Sequence, residues 1–347
     1  MKYKTLGRTD LNVSALCLGS MTWGTQNTMA EGHDQIDMAL DHGVNFIDTA
    51  EMYPVNPISA EKHGESERTI GEWLAKTGRR ADVVIATKVS GAGMKIVRDG
   101  APISPATIRE AIDKSLRNLK TDYIDLYQLH WPNRGSYHFR QMWTYDPTGQ
   151  DTQEARDHIY EVLSELGRLV DAGKIRHIGL SNESTWGTAE FLRIAYENSL
   201  PRVATVQNEY SLMCRLYDTD MAELSHHANV DLLSFSPLAA GLLTGKYQGD
   251  ITPEGSRRSH VANLGGRITP RTFPTVQAYL DIAHNHGVEP VHMALAFCMQ
   301  RPFMGSTIFG STTPEQLKLA LGAADVVLGE EILSDIIEAH RANPAPF

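Results

Sequence analysis

Apolar residues along the chain fall into two alternating regimes. Short runs that are nearly continuous in apolar residues occur at Leu16 to Leu18, Asn45 to Ile47, Val83 to Thr87, Tyr123 to Leu129, Ile175 to Leu180, Ala204 to Val206, Leu232 to Phe235 and Thr307 to Phe309. Runs of this length and continuity predict strands covered on both faces, as in a parallel sheet. Between them the apolar spacing changes to three and four. Ile108, Ala111, Ile112, Leu116 and Leu119 share one helical face, and Ser104-Pro105 before them supplies a cap and a proline at the first helical position. Ile159, Val162, Leu163, Leu166 and Val170 repeat the pattern, with Gly173 placed to close the helix. Ile36, Ala39 and Leu40 before Gly43, and Ile282-Ala283 before Gly287, predict two more helices. Eight strand runs alternating with helical stretches predict an α/β fold, a (β/α)8 TIM barrel rather than an open sheet.

Three segments stand outside that rhythm. Lys2 to Val13 reads as an N-terminal hairpin able to close the bottom of the barrel. Pro132 to Arg156, rich in aromatic and polar residues, and Leu238 to Phe273, rich in Gly, Arg and Ser, are long connections. Connections of this length in a compact domain are usually functional loops, and these two are expected on the C-terminal rim. At roughly 150 residues per domain the length would allow two domains. The unbroken alternation predicts instead one barrel domain over residues 1–347.

The polar residues that end the strand runs sharpen this picture. Asn45-Phe46-Ile47 runs into Asp48, Val83 to Thr87 into Lys88, and Tyr127-Gln128-Leu129 into His130. Ile178-Gly179-Leu180 ends in Ser181-Asn182, Ala204 to Val206 in Gln207, and Leu233-Ser234-Phe235 in Ser236. Strand ends are often polar simply because they meet water. In a barrel, however, all six ends converge on the C-terminal opening, where barrel active sites are built.

Gly43-Val44-Asn45-Phe46-Ile47-Asp48-Thr49-Ala50-Glu51-Met52-Tyr53 resembles the first motif of the aldo-keto reductases. Leu116 through Asp125-Leu126-Tyr127-Gln128-Leu129-His130-Trp131-Pro132 resembles their second, and Gly173 to Asn182 their fifth-strand segment. Phe235-Ser236-Pro237-Leu238 through Gly241-Leu242-Leu243-Thr244-Gly245-Lys246-Tyr247 is similar to the cofactor loop of the bacterial Tas-like and potassium-channel β-subunit-like branches. The resemblance runs through nearly the whole chain in order. It implies a reductase of aldehydes or ketones that uses NADP(H), with Asp48, Tyr53, Lys88 and His130 as the catalytic four. Carbonyl reduction needs a proton for the oxygen, and a free tyrosine, with a pKa of about 10, is a poor acid at neutral pH. An ammonium at about 4 Å in an effective dielectric near 20 contributes ~4 kcal/mol, so Lys88 is expected to lower the Tyr53 pKa. Asp48 would orient Lys88, and His130 would hold the carbonyl oxygen.

No Gly-x-Gly-x-x-Gly follows the first strand, so a Rossmann site is not indicated. Gly241 to Lys246 is no nucleotide-triphosphate loop either: three residues separate its glycines instead of four, and Tyr247 stands where Ser or Thr would bind magnesium. The resemblance implies that Ser181, Asn182 and Gln207 hold the nicotinamide carboxamide and that Phe235 stacks on the ring. It further implies that Ser236, Pro237, Leu238, Gly241 and Lys246 line the pyrophosphate path, and that Arg257 or Arg258 meets the 2′-phosphate. Ser311 and Gln316, at a turn into a helix, would complete the phosphate and adenine end. There the chain departs from the family: Leu319-Ala320 replaces a Glu-Asn pair, and Gly310 replaces a basic residue. Trp23 and Trp131, with Tyr137, Phe139, Trp143 and Tyr145, are expected to wall a pocket for a small carbonyl substrate. A second reading of the resemblance is an NADP(H)-binding regulatory module that senses redox state with incidental turnover.

Composition narrows the partners. Hydrophobic residues at 41% and charged residues at 21% are those of a folded chain. Thirty-two Lys and Arg against 42 Asp and Glu give a net charge of −10, which argues against a general nucleic-acid or anionic-membrane binder. Cys17, Cys214 and Cys298 are far apart and odd in number, so neither a disulfide framework nor a thiolate zinc site is expected. His226-His227 lacks a third ligand at helical spacing, and no metal is expected. No Gly-x-Ser-x-Gly elbow supports a serine hydrolase. Without a signal-like N-terminus or an apolar run of about 18 residues, the expected location is the cytoplasm.

Overall fold

The computed structural model describes residues 1–347. Two short antiparallel strands, β1 (Tyr3–Thr5) and β2 (Asn12–Ser14), form the N-terminal hairpin, with Tyr3 opposite Ser14 and Thr5 opposite Asn12. The chain then alternates through β3 (Leu16–Gly19), α1 (Met29–Asp41), β4 (Phe46–Asp48), α2 (Glu65–Thr77), β5 (Val84–Val89), α3 (Pro105–Leu119) and β6 (Ile124–Leu129). It continues through α4 (Thr152–Asp171), β7 (Ile175–Ser181), α5 (Thr185–Glu197), β8 (Val203–Glu209), α6 (Asp220–Ala228) and β9 (Asp231–Phe235). After β9 come the single turn α7 (Arg257–His260), α8 (Thr272–Asn285), α9 (Pro290–Met299), β10 (Met304–Phe309), α10 (Pro314–Leu321) and α11 (Glu330–Ala342). The eight strands β3 to β10 close into a parallel barrel, sealed where Thr307 pairs with Leu16 and Phe309 with Leu18. This is the (β/α)8 architecture that the strand and helix periods predict. No helix is long and apolar enough to cross a membrane.

Two apolar layers hold the barrel together. The larger, 68 buried residues, includes the strand side chains facing the helices and the inner helix faces, among them Ile108, Ala111, Ile112 and Leu119 of α3. The smaller lies inside the barrel, where Phe46, Ala86, Leu126, Leu233 and Ile308 meet Leu6, Leu11 and Val13 of the hairpin segment. The hairpin therefore plugs the bottom. It is fastened there by Lys4, whose Nζ donates to Asp231 Oδ1 at 2.7 Å and to the Met304 carbonyl at 2.9 Å.

Helix starts follow local chemistry. Ser104 and Thr107 form a reciprocal cap on α3 with Pro105 in the first turn, as the sequence predicts. The connection after β6 is shorter than its composition suggests, because α4 begins at Thr152 with the Asp151 carboxylate accepting from the Glu154 amide at 2.8 Å. Its first turns carry no apolar stripe before Ile159, so helix periodicity alone places the start too late.

Candidate active site

The polar strand ends meet in the upper barrel. Lys88, at the end of β5, is fully buried, and its Nζ donates to Asp48 Oδ2 and to the Thr49 carbonyl, both at 2.7 Å. Asp48 Oδ1 accepts from Gln207 Nε2 at 2.8 Å and from Gln128 Nε2 at 3.4 Å, so strands β4, β5, β6 and β8 fix one carboxylate. Above the pair lies Tyr53, with the Lys88 ammonium 5.0 Å from its ring centroid. The His130 ring stands edge-on to Tyr53, 5.9 Å between centroids. Asp48, Tyr53, Lys88 and His130 are thus brought together.

Burial sets the protonation states. It pulls Lys88 down, but Asp48 and Tyr53 beside it carry the group above the ordinary lysine value, and it remains an ammonium. Burial and the Lys88 charge push His130 well below the usual histidine value, so the ring is neutral. For Tyr53, burial raises the pKa by more than Lys88 lowers it, and the net direction is up. The expected lowering of Tyr53 is corrected accordingly: the Coulomb gain exists, but desolvation of the phenolate exceeds it.

A belt of polar groups extends from the pair. Asn182 Nδ2 donates to the His130 carbonyl at 2.9 Å and to Ser181 Oγ at 3.1 Å, and Ser181 Oγ donates to the Gln207 carbonyl at 2.8 Å. Asn182 Oδ1 is buried with no partner. Phe235 and Ser236 follow at the end of β9, half-buried, and the chain from Ser236 to Gly241 turns tightly through positive φ at Ser236, Ala239, Ala240 and Gly241. At Gly241 a Cβ would stand 3.1 Å from the Lys246 side chain, which folds back over this turn. Pro237 is buried and Leu238 half-buried beneath it.

The two candidate arginines separate. Arg258 is spent on Asp250 and on the carbonyls of Ile251 and Ala262. Arg257 makes no ion pair; its Nε is buried without a partner, and burial with the neighbouring Arg267 pulls its pKa down to about 10. Ser311 Oγ is likewise buried and unpartnered, whereas Gln316 Oε1 accepts from Thr312 of its own turn. Leu319 is exposed and Ala320 buried.

The expected aromatic wall is only partly assembled. Trp131 packs against His130 at 4.9 Å, and Phe139 stands edge-on to Trp131 at 6.3 Å. Trp131 Nε1 donates to the Ala92 carbonyl at 3.0 Å, and the indole fits only because residue 91 is glycine, where a Cβ would lie 2.3 Å from Nε1. Trp23 does not belong to the wall. It is fully buried with Nε1 donating to Gln35 Oε1 at 3.0 Å, because the chain after β3 turns it inward onto α1. Tyr137 and Tyr145 pack on each other, and Trp143 is exposed beside Arg271.

The loop after β5 supplies what sequence reading missed. Met94, Ile96 and Val97 pack with Met52, Tyr53 and Trp131, forming the other side of the opening. Arg98 anchors this loop with both terminal guanidinium nitrogens, Nη1 and Nη2, on the buried Glu51, which also accepts from the Ser90 amide. Glu51 sits inside the Asp48-to-Tyr53 motif and could have been singled out; Arg98, in an irregular segment, carries no sequence signal. No cluster of His, Cys, Asp or Glu could hold a metal ion.

A buried Lys–Asp pair under a tyrosine, beside a neutral histidine at the mouth of a barrel, is an arrangement for delivering one proton to a bound oxygen. Comparison with known proteins gives the family. The Aldo/keto reductase family model matches residues 15–341. Protein tas of Escherichia coli is 41% identical over 354 aligned residues, covering all of both chains. The uncharacterized oxidoreductase YrpG of Bacillus subtilis is 31% identical, over 96% of this chain and 94% of its own. A probable voltage-gated potassium channel subunit beta of Arabidopsis thaliana is 30% identical over 97% and 96%. The chain is an oxidoreductase barrel that belongs to the aldo/keto reductase family.

Proposed function

We propose that the chain, acting as a single barrel domain, reduces aldehydes or ketones to alcohols with NADPH, and that Tyr53 donates the proton. The observation that carries this reading is the buried Asp48–Lys88 pair directly beneath Tyr53 and beside neutral His130. Unpartnered buried atoms fit the cofactor. Asn182 Oδ1 suits a carboxamide N–H, while Arg257 Nε and Ser311 Oγ suit phosphate oxygens. Ser181, Gln207 and Phe235 would hold the nicotinamide end, Ser236 to Gly241 and Lys246 the pyrophosphate, and Gln316 the adenosine end. When bound, the nicotinamide supplies the hydride to the carbonyl carbon.

The protein's own residues handle the oxygen. His130, being neutral, donates a hydrogen bond without competing as an acid and fixes the carbonyl near Tyr53. As the Tyr53 proton moves to the oxygen, negative charge develops on the phenol above Lys88. The Lys88 ammonium, 5.0 Å from the ring centroid, stabilises that charge. Trp131 and Phe139 with Met94 and Ile96 present apolar surface, which favours apolar or aromatic carbonyls. A panel of such carbonyls followed by loss of NADPH absorbance tests the reading; no turnover across the panel would sink it. It would then leave the regulatory reading suggested by the channel-subunit relative.

The pKa directions fix the pH dependence. The reducing form needs Tyr53 protonated, and since its pKa lies above the ordinary 10, that form persists as pH rises. Reduction is therefore expected to be flat from about pH 6 to 9, with no inflection from His130. Alcohol oxidation needs the phenolate and should climb about tenfold per pH unit over the same range. A bell centred near pH 6.5 in the reductive profile would contradict this assignment.

Arg257 is the proposed partner of the 2′-phosphate. Arg257→Gln is expected to weaken NADPH roughly tenfold or more while leaving NADH within about twofold, as read by fluorescence titration. A larger effect from Arg258→Gln would reassign the contact.

A further inference from the structure

Glu51 and Arg98 stand outside the catalytic four, yet together they hold the chain on both sides of the Tyr53–Lys88 contact. Glu51 lies two residues before Tyr53, and Ser90 lies two residues after Lys88. Past the end of β4 these two segments stay paired. The Thr49 amide donates to the Ala86 carbonyl at 2.9 Å, and the Glu51 amide to the Lys88 carbonyl at 3.2 Å. The Glu51 carboxylate adds one more rung by accepting from the Ser90 amide. Tyr53 hangs from this extension, its amide donating to the Ala50 carbonyl at 3.0 Å, with its ring centroid 5.0 Å from the Lys88 ammonium.

The added rung depends on Arg98. The Glu51 side chain is 1% exposed and that of Arg98 9%, so the ion pair lies inside the wall of the opening. Arg98 Nη1 and Nη2 both donate to Glu51, and Nη2 also reaches the Ser90 carbonyl at 3.4 Å. Both backbone groups of Ser90 are therefore gripped by one ion pair. The planar fork of a guanidinium suits this geometry, and a lysine ammonium presents no such fork. A carboxylate buried without its cation is strongly disfavoured and turns toward water, which releases Ser90. The loop is built to present Arg98. The Gly93 amide closes it by donating to the Gly100 carbonyl at 2.9 Å, and Val97 is buried against Ala50 and Met52. Arg98 and Asp99 hold left-handed φ values of 44° and 52°, which persist in residues with side chains only where the surroundings fix them.

We propose that Arg98, acting through Glu51, is a positioning residue for proton transfer: the pair keeps Tyr53 in register with Lys88. The proposal rests on the reading of Tyr53 as proton donor, and it gives Arg98 no contact with substrate or cofactor. Losing the pair leaves the groups assigned to NADPH in place and moves the acid relative to the carbonyl oxygen. Misplacement of a reacting group by about 1 Å costs on the order of 100-fold in rate.

Arg98→Met is expected to lower kcat roughly tenfold to 100-fold, with KM and NADPH affinity changed less than about threefold. Arg98→Lys keeps the charge and should recover part of the loss; it also serves as the test variant if Arg98→Met does not fold. A cycle with Tyr53→Phe separates positioning from a loss of folded protein. If Arg98 works through the Tyr53 hydroxyl, either Arg98 variant slows single-turnover reduction by Tyr53→Phe by less than about twofold. A purely structural role slows the reaction by the same factor in both backgrounds. Fluorescence titration on each preparation should find NADPH-binding sites undiminished. Equal factors in the two backgrounds, unchanged turnover in both Arg98 variants, or a fall in NADPH sites that matches the fall in rate would each overturn the proposal. Absence of turnover in the wild-type chain is a different failure: it removes the reductase reading, and this proposal with it.

Discussion

Replacing Tyr53 by Phe should lower carbonyl reduction by roughly 10²- to 10⁴-fold, the range for loss of a positioned general acid, while NADPH affinity stays within about twofold. The substitution removes one oxygen and keeps the ring, so packing against His130, Met52 and Val97 survives. Lys88 loses no ion pair, because its partners are Asp48 and the Thr49 carbonyl. What disappears is the only proton donor placed between the Lys88 charge and the His130 ring. The checks are steady-state turnover at the NADPH absorbance and a cofactor fluorescence titration on the same preparation. Wild-type turnover in the variant would remove Tyr53 from the mechanism; a lost cofactor signal would mean the ring, not the hydroxyl, was being tested.

The second large effect concerns stability. Glu209 is buried at the end of β8 and is the one carboxylate held by both Arg140 and Arg267, each itself largely buried. Glu209→Gln keeps the shape and removes the charge, leaving two guanidiniums facing each other with Arg257 nearby. Breaking a buried pair in this way costs about 3–5 kcal/mol. With an unfolding entropy of about 2.1 cal/mol/K per residue, that lowers Tm by roughly 4–7 °C. Adding Arg140→Met to this variant should restore part of the loss by removing one surplus cation. Thermal unfolding that stays within a degree of wild type would show that the cluster is not held by this charge.

Much of this was readable in the sequence, for physical reasons. Strands covered on both faces must be apolar along their whole length, so the eight runs stand out, and the polar residues that stop them mark the open end. Asp48, Lys88 and His130 are legible on that ground before any likeness to known proteins is considered. The direction of Trp23 is not legible, because an aromatic in a loop near the rim gives no sign of where it points; the hydrogen bond to Gln35 on α1 decides it. The Tyr53 pKa direction needed burial as well as charge. The Arg140–Glu209–Arg267 cluster joins three segments separated by 58 residues or more, and no local pattern links them.

The seam of the barrel has a consequence for how the chain reaches its native state. Ser306 Oγ bonds to the Ser14 carbonyl across 292 residues of sequence, and β10 lies between β3 and β9. Contacts so distant along the chain form late and slowly, after the local strand–helix units have collapsed. Until β10 arrives, a nascent chain exposes two sheet edges and the apolar interior that the hairpin plugs from below. Closure is therefore the step at which this protein is most open to aggregation, and residues 304–309 are the segment whose delay would expose it longest.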